Sequence, residues 1–179
     1  MIVAWGRKSQ EDPPAAVARA AVPARDKLVA AAWDELGLQW VVASRTRVAV
    51  VAQDGEVRRS AAWLEVDGGT WDPDSDTLRV TWVEGGDPTR WTFTGAGAHA
   101  FTDAFRDRVE ASVVLMREVD LGPGRTTRVA IRKDLATRDL VDQVVPGQRV
   151  QPGDEELNEQ VAVARATLRD QSGLPPLGA

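Results

Sequence analysis

Between Lys27 and Thr94 the chain runs as short stretches of β-branched and aromatic residues cut apart by turn residues, and this texture constrains the fold more than any other feature. Such stretches read as strands of an antiparallel meander. Leu38–Ala43 and Arg47–Gln53 are joined by a tight Ser44-Arg45-Thr46 connection, and Asp54-Gly55 marks the next hairpin. Val57–Ala62, Leu64–Trp71, Thr77–Val83 and Thr89–Thr94 follow, divided by Asp72-Pro73-Asp74-Ser75-Asp76 and by Glu84-Gly85-Gly86-Asp87-Pro88. Leu28–Trp33 reads two ways. Its alanines favour a helix, whereas its place ahead of Asp34-Glu35-Leu36-Gly37 suits the first arm of a hairpin, and the strand reading is preferred. Six or seven strands result.

Over residues 97–116 the period changes. Phe101, Ala104, Phe105, Val109, Ser112, Val113 and Met116 recur at helical spacing, with Asp103, Arg106, Asp107 and Glu110 on the other face, so one amphipathic helix is expected there. After Gly122-Pro123-Gly124 strands return, Thr127–Lys133 and Leu140–Val145 forming a hairpin around Asp134–Asp139. A last helix begins near Asp154, with Glu155 and Glu156 in its first turn, where carboxylates oppose the positive end of the helix dipole. Gly173, Pro175 and Pro176 stop it. Residues 6–25 show neither period and read as a flexible arm.

The expected fold is therefore α+β, divided as a 1–25 arm, a 26–119 meander with its capping helix, a 120–172 extension of β-hairpin and helix, and a 173–179 tail. Within it, Trp40-Val41-Val42-Ala43-Ser44-Arg45-Thr46-Arg47-Val48-Ala49-Val50-Val51 resembles the second and third strands of bacterial pleckstrin-homology-like (PH/GRAM) domains. Ala62-Trp63-Leu64-Glu65-Val66 resembles the segment that opens their second sheet, and Arg90–Thr94 with the helix after it resembles their last strand and capping helix. The resemblance covers roughly residues 27–116 and implies an antiparallel PH-like β-barrel plugged at one end by Phe101 and Phe105. That superfold hosts lipid binding, peptide binding and scaffolding alike, so it implies no single activity.

Composition removes several function classes. With no cysteine there is no disulfide, no thiolate metal site and no cysteine nucleophile. A net charge of −5 argues against nucleic-acid binding through a basic face. The longest apolar runs, such as Val48–Ala52, are far short of the roughly 20 residues that span a bilayer, and Met1–Trp5 is too short for a signal sequence, so a cytoplasmic protein is expected. Only Lys8, Lys27 and Lys133 are lysines among 22 basic residues, a bias of high-GC bacterial genomes.

Few residues suggest chemistry. Asp72, Asp74 and Asp76 alternate like the start of a calcium loop, but Thr77 stands where that loop needs glycine and Val83 where it needs a bidentate acid. Gly95-Ala96-Gly97-Ala98-His99-Ala100 satisfies a dinucleotide-binding G-x-G-x-x-A string, with Glu118 at about the distance of the ribose-binding acid. It follows a strand that alternates like an exposed antiparallel one. His99, the single histidine, cannot build a multi-histidine metal site. Arg45, Arg47, Arg58 and Arg59 gather near the first hairpins as a candidate site for an anionic or phosphate group. Arg125, Arg128, Arg132 and Lys133 form a second basic run, which suits a strand with one wet face. Among seven tryptophans, Trp5 and Trp63 are the candidate partner anchors, while Trp40, Trp71, Trp82 and Trp91 fall inside expected strands and read as core.

The leading expectation is a non-catalytic interaction or scaffold module that uses no cofactor or metal and whose partner is another protein. One alternative is recognition of an anionic ligand, phosphate or lipid head group by the basic hairpin, with peripheral membrane contact. A second is a nucleotide-binding enzyme using the Gly95–Ala100 turn.

Overall fold

The computed structural model describes residues 12–95 and 97–177. A first sheet is made by β1 (Leu28–Asp34), β2 (Gln39–Ser44), β3 (Arg47–Ala52) and β4 (Val57–Ala62), each antiparallel to the next. Val41, Ala43, Val48 and Val50 face the main core, while Trp40, Val42, Ala49 and Val51 form a second cluster on the opposite face. A strand buried on both faces reads as a continuous apolar run instead of an alternating one, which accounts for Trp40–Ala43 and Val48–Ala52. The cover on the second face is a short helix, α1 (Ala15–Ala21), whose Val17 and Ala21 are buried there. Residues 6–25 were expected to be an arm without structure. Proline at positions 13 and 14 starts the helix, and a single i, i+4 apolar pair is too short to register as a period.

The second sheet is β5 (Val66–Asp72), β6 (Thr77–Trp82) and β7 (Thr89–Thr92), again antiparallel. Helix α2 (Gly97–Ser112) packs Ala98, Phe101 and Phe105 into the core shared by both sheets, beside Trp63, Trp82, Trp91 and Phe93. Strand β5 comes so close to α2 that a Cβ built on Gly69 would stand 2.5 Å from Phe105 Cε1. Phe105 is buried and cannot swing aside. Gly69→Val should therefore cost about 1–3 kcal/mol by overpacking, read as a lower urea midpoint.

Among the described residues, strand pairing joins the two sheets at one edge only. Asp34 forms an isolated bridge with Phe93, and its buried carboxylate accepts from Thr92 N at 3.0 Å and Gln39 Nε2 at 2.9 Å. At the other edge a 3₁₀ turn, Trp63–Glu65, leads from β4 to β5, and among the described residues no ladder joins these strands. The barrel expected from the sequence does not close. The expected strand from Leu64 begins at Val66 instead, because the turn directs the carbonyls of Trp63, Leu64 and Val66 to side chains of the C-terminal unit.

That unit is a three-stranded sheet of β8 (Val113–Asp120), β9 (Thr126–Lys133) and β10 (Leu140–Pro146), in the order β10-β9-β8, covered by α3 (Glu155–Ser172). Val119, Val129, Ile131, Leu157, Ala164 and Leu168 make its core. Strand β8 was not expected. The sequence reading carried the helix to residue 116 because Val113 and Met116 happen to continue its spacing, and no glycine or proline separates helix from strand. The β-branched Val113-Val114 pair and pairing with β9 prevail there. The helix-to-strand boundary thus falls at residues 112/113.

Arg132, on β9, is buried and reaches back across this boundary. Its Nη2 donates to Trp63 O at 2.8 Å, Val66 O at 3.0 Å and Ser112 Oγ at 2.6 Å, and its Nε donates to Ser112 Oγ at 3.1 Å. Arg128 pairs with Asp67, and Gln143 Nε2 donates to Leu64 O at 2.9 Å. The extension is therefore docked on the 63–67 corner by side-chain donors that meet the backbone carbonyls of Trp63, Leu64 and Val66 and the carboxylate of Asp67.

Helix α3 is capped as its sequence suggests. The Asp154 carboxylate accepts from Leu157 N at 3.1 Å, and Gly173 ends the helix at φ 76°. Arg125 grips Asp154 at 2.6 and 2.9 Å and Glu156 at 2.8 Å. The Arg125 guanidinium, with Leu157 N, lowers the Asp154 pKa from 3.8 to about 2. Arg165 holds the Asp142 carboxyl below its usual range against the opposing effect of burial, and Arg169 assists. Carboxylates with depressed folded values stabilise the protein at neutral pH, and that contribution is lost as pH falls through the folded value. The melting temperature should therefore drop between about pH 4 and pH 2, and Arg125→Gln should flatten that drop. No helix among the described residues is long and apolar enough to cross a membrane.

Candidate functional site

The four arginines singled out from the sequence do not converge. Arg47 Nε donates to Ser60 Oγ at 2.9 Å and its Nη2 to Ser60 O at 3.2 Å, tying β3 to β4. Arg58 Nη1 donates to Gln39 Oε1 at 2.9 Å and Gly37 O at 3.2 Å, bracing the β1–β2 turn. Arg59 lies 3.6 Å over the Trp82 ring and pairs with Glu84 at 2.6 Å. Each is occupied within the fold.

Arg45 is different. It stands at the β2–β3 turn on the wall of a cavity of about 390 Å³ that also carries Arg25, Arg108, Lys133 and Arg138. These five cations come from five places: the loop after α1, the β2–β3 turn, α2, the end of β9 and the β9–β10 loop. Among the described residues, none of the five side chains has an ion-pair or hydrogen-bond partner, and the buried Arg108 Nε lacks an acceptor. Pro23, Ala24, Ala111, Leu135 and Ala136 supply an apolar part of the wall.

The loops bearing these cations are held by hydrogen bonds of their own. Asp26, the acidic residue of the lining, directs its carboxylate to Lys27 N at 2.6 Å, Thr46 N at 3.1 Å and Thr46 Oγ1 at 2.5 Å. Burial alone would raise its pKa, but these hydrogen bonds prevail and hold it below the usual carboxylate range. Arg45 N donates to Lys27 O at 3.0 Å, tying the α1–β1 loop to the β2–β3 turn. On the opposite wall, Asp134 Oδ1 accepts from Ala136 N at 2.7 Å and Thr137 N at 3.2 Å, and Arg138 N donates to Asp134 O at 2.8 Å. Arg25 and Arg138 both have left-handed backbone, at φ 70° and 71°, a conformation uncommon outside glycine that persists only where surroundings enforce it.

The second basic run of the sequence is dispersed along β9. Arg125 caps α3, Arg128 pairs with Asp67, Arg132 turns into the interior, and Lys133 alone reaches the cavity. Trp63 is not a surface anchor: it is fully buried, its ring 5.6 Å edge-on from Phe105 and its Nε1 donating to Ser44 O at 3.0 Å. Trp5 lies outside the described residues. The Asp72 carboxylate closes its own turn, accepting from Asp74 N at 3.0 Å and Ser75 Oγ at 2.8 Å. Among the described residues no group of three or more acids or histidines could hold a metal ion. The Gly95–Ala100 string links β7 to α2, and its sheet is antiparallel throughout, without the parallel strand ends that frame a dinucleotide crevice. A further depression of about 630 Å³ between β5 and α2 has an apolar floor including Trp71, Leu78 and Phe105, and its rim charges, Asp103, Arg106 and Glu110, are of mixed sign.

Sequence reasoning found Arg45 and noted Lys133 but missed Arg25, Arg108 and Arg138. Their positions, from 25 to 138, share no motif, and only the docking of the C-terminal unit brings them together. Compared with known proteins, the chain matches no family model, no curated protein and no solved structure.

Proposed function

We propose that this chain is a non-catalytic binding module that captures a small anionic ligand in the cavity lined by Arg25, Arg45, Arg108, Lys133 and Arg138. The observation that carries this reading is the concentration of five cations without partners among the described residues around one half-open cavity, in a chain whose net charge is −5. Unpaired like charges repel one another and are costly to hold together, and an anion relieves that cost. A cavity of about 390 Å³ suits a small molecule better than a polymer. The arrangement of a four-stranded and a three-stranded sheet with α2 packed across them supports the PH/GRAM-like reading of the first unit, although the cavity itself depends on the extension as well. The interaction module expected from the sequence becomes, in this reading, a receptor for a charged small molecule.

Isothermal titration of the full chain with inorganic phosphate, pyrophosphate and citrate at low salt tests it. At least one should bind, and Arg45→Glu with Arg138→Glu should weaken that binding by more than about tenfold, since each lost charge-assisted contact is worth over 1 kcal/mol. Arg79→Glu, remote on β6, should leave it unchanged. Absence of binding by all three anions, or equal loss in the Arg79 variant, would contradict the reading.

A further inference from the structure

We infer that the ligand of this cavity is an organic phosphate: a group with at least two negative charges held by the guanidinium cluster, joined to an uncharged body resting on Pro23, Ala111, Leu135 and Ala136. The inference rests on the anion-binding reading and adds the ligand's chemical class. Charge is the first argument. Five cations and the single carboxylate of Asp26 face the cavity, so the lining stays strongly positive and a monocarboxylate would leave most of that charge uncompensated. A phosphate monoester brings about −1.5 to −2 at pH 7.

Donor geometry is the second. Four of the five cations are arginines, whose planar forks match the oxygen spacing of phosphate and carry several N–H donors each. Arg108 lines the cavity with no hydrogen-bond partner among the described residues, so its guanidinium donors are uncommitted within the fold. Three phosphate oxygens can serve donors arriving from α2, the β2–β3 turn and the β9–β10 loop at once, whereas a carboxylate has two oxygens in one plane. Preorganisation is the third. The left-handed backbones of Arg25 and Arg138, fixed by the Asp26 and Asp134 hydrogen bonds, set both arginines at the rim before any ligand arrives. The apolar wall has no use for inorganic phosphate alone, which points to an ester.

No histidine lines the cavity, so a change in affinity between pH 7.5 and pH 5.5 reports the ligand's own ionisation. The charged groups facing it are Arg25, Asp26, Arg45, Arg108, Lys133 and Arg138. The phosphate monoester has its second ionisation near pH 6 and a carboxylate does not titrate in this window, which gives the two classes different pH responses.

Isothermal titration of the full chain with glucose 6-phosphate, glucuronate and glucose tests the inference, because the three share a sugar body. Glucose 6-phosphate should bind at least about tenfold tighter than glucuronate at pH 7.5 and weaken about fourfold by pH 5.5, in proportion to its loss of dianion. Glucose should not bind, and Arg108→Gln, checked for unchanged circular dichroism, should weaken the phosphate about tenfold or more. Equal binding of glucuronate and glucose 6-phosphate, with no pH response, would overturn the phosphate inference and leave the anion reading standing. Failure of both, together with pyrophosphate, would overturn the two together. Co-sedimentation with vesicles of phosphatidic acid but not of phosphatidylglycerol would assign the phosphate monoester to a lipid head group, and absence of sedimentation beside soluble binding would assign it to a free metabolite.

Discussion

Arg132→Met should destabilise the protein by about 3–5 kcal/mol, because methionine fills much of the space yet strips three buried acceptors of the donor that ties the two units together. Val66 O loses the Arg132 donor, Trp63 O keeps only its turn bond from Val66 N, and Ser112 Oγ loses the guanidinium that it faces. No carboxylate pairs directly with Arg132 within 4.0 Å among the described residues, and burial lowers its pKa from the ordinary arginine value, with Asp67 opposing. A guanidinium nevertheless stays charged at neutral pH, and here its charge is dispersed over three oxygen atoms instead of one ion pair. Urea denaturation of Arg132→Met, Ser112→Ala and the double variant separates the contributions. The double variant should be less destabilised than the sum of the singles by about 1–2 kcal/mol, since removing both partners leaves fewer orphaned groups. Strict additivity would mean that Arg132 and Ser112 act independently, against the geometry.

Trp63→Ala should cost about 3–5 kcal/mol, the range for deleting a fully buried large aromatic side chain. The indole fills the corner between the first two sheets and α2, and its Nε1 satisfies Ser44 O in the β2–β3 turn. Trp63→Phe retains most of the volume but abandons that carbonyl, so about 1–3 kcal/mol should be lost. Because Ser44 adjoins Arg45, the phenylalanine variant should also weaken anion binding slightly while leaving most of the fold intact. A wild-type melting temperature in Trp63→Ala would mean that the residue is not core.

The strands were legible because each carries its own evidence. Leu28–Asp34 formed where position outweighed alanine content, and Val57–Ala62 ends where the sequence indicated. The last helix was legible because Asp154 and Gly173 are chemical stop signs. Failures occurred where the decisive partner is distant in sequence. Nothing local in Val113–Met116 distinguishes another helical turn from a strand, and pairing with β9 decides. Nothing local in Trp63–Val66 says that its carbonyls await Arg132 and Gln143, so a closed barrel was the economical reading. The two-sided apolar runs at Trp40–Ala43 and Val48–Ala52 did hold a signal for a covering element, and α1 is that element. The basic hairpin read from the sequence is not one cluster in the fold. Residue type suggested anion recognition, yet three of its four arginines are consumed by Ser60, Gln39 and Glu84, and the cations that join Arg45 come from other units.

The most direct test of the anion cavity is the melting temperature of the full chain as pyrophosphate is raised to about 10 mM at constant ionic strength, for wild type and for Arg45→Glu with Arg138→Glu. Ligand that binds only the folded state stabilises it by RT ln(1 + [L]/Kd), so the wild-type melting temperature should climb with the logarithm of ligand concentration above Kd while the variant stays flat. A flat wild-type curve, or an equal rise in both proteins, would contradict the account.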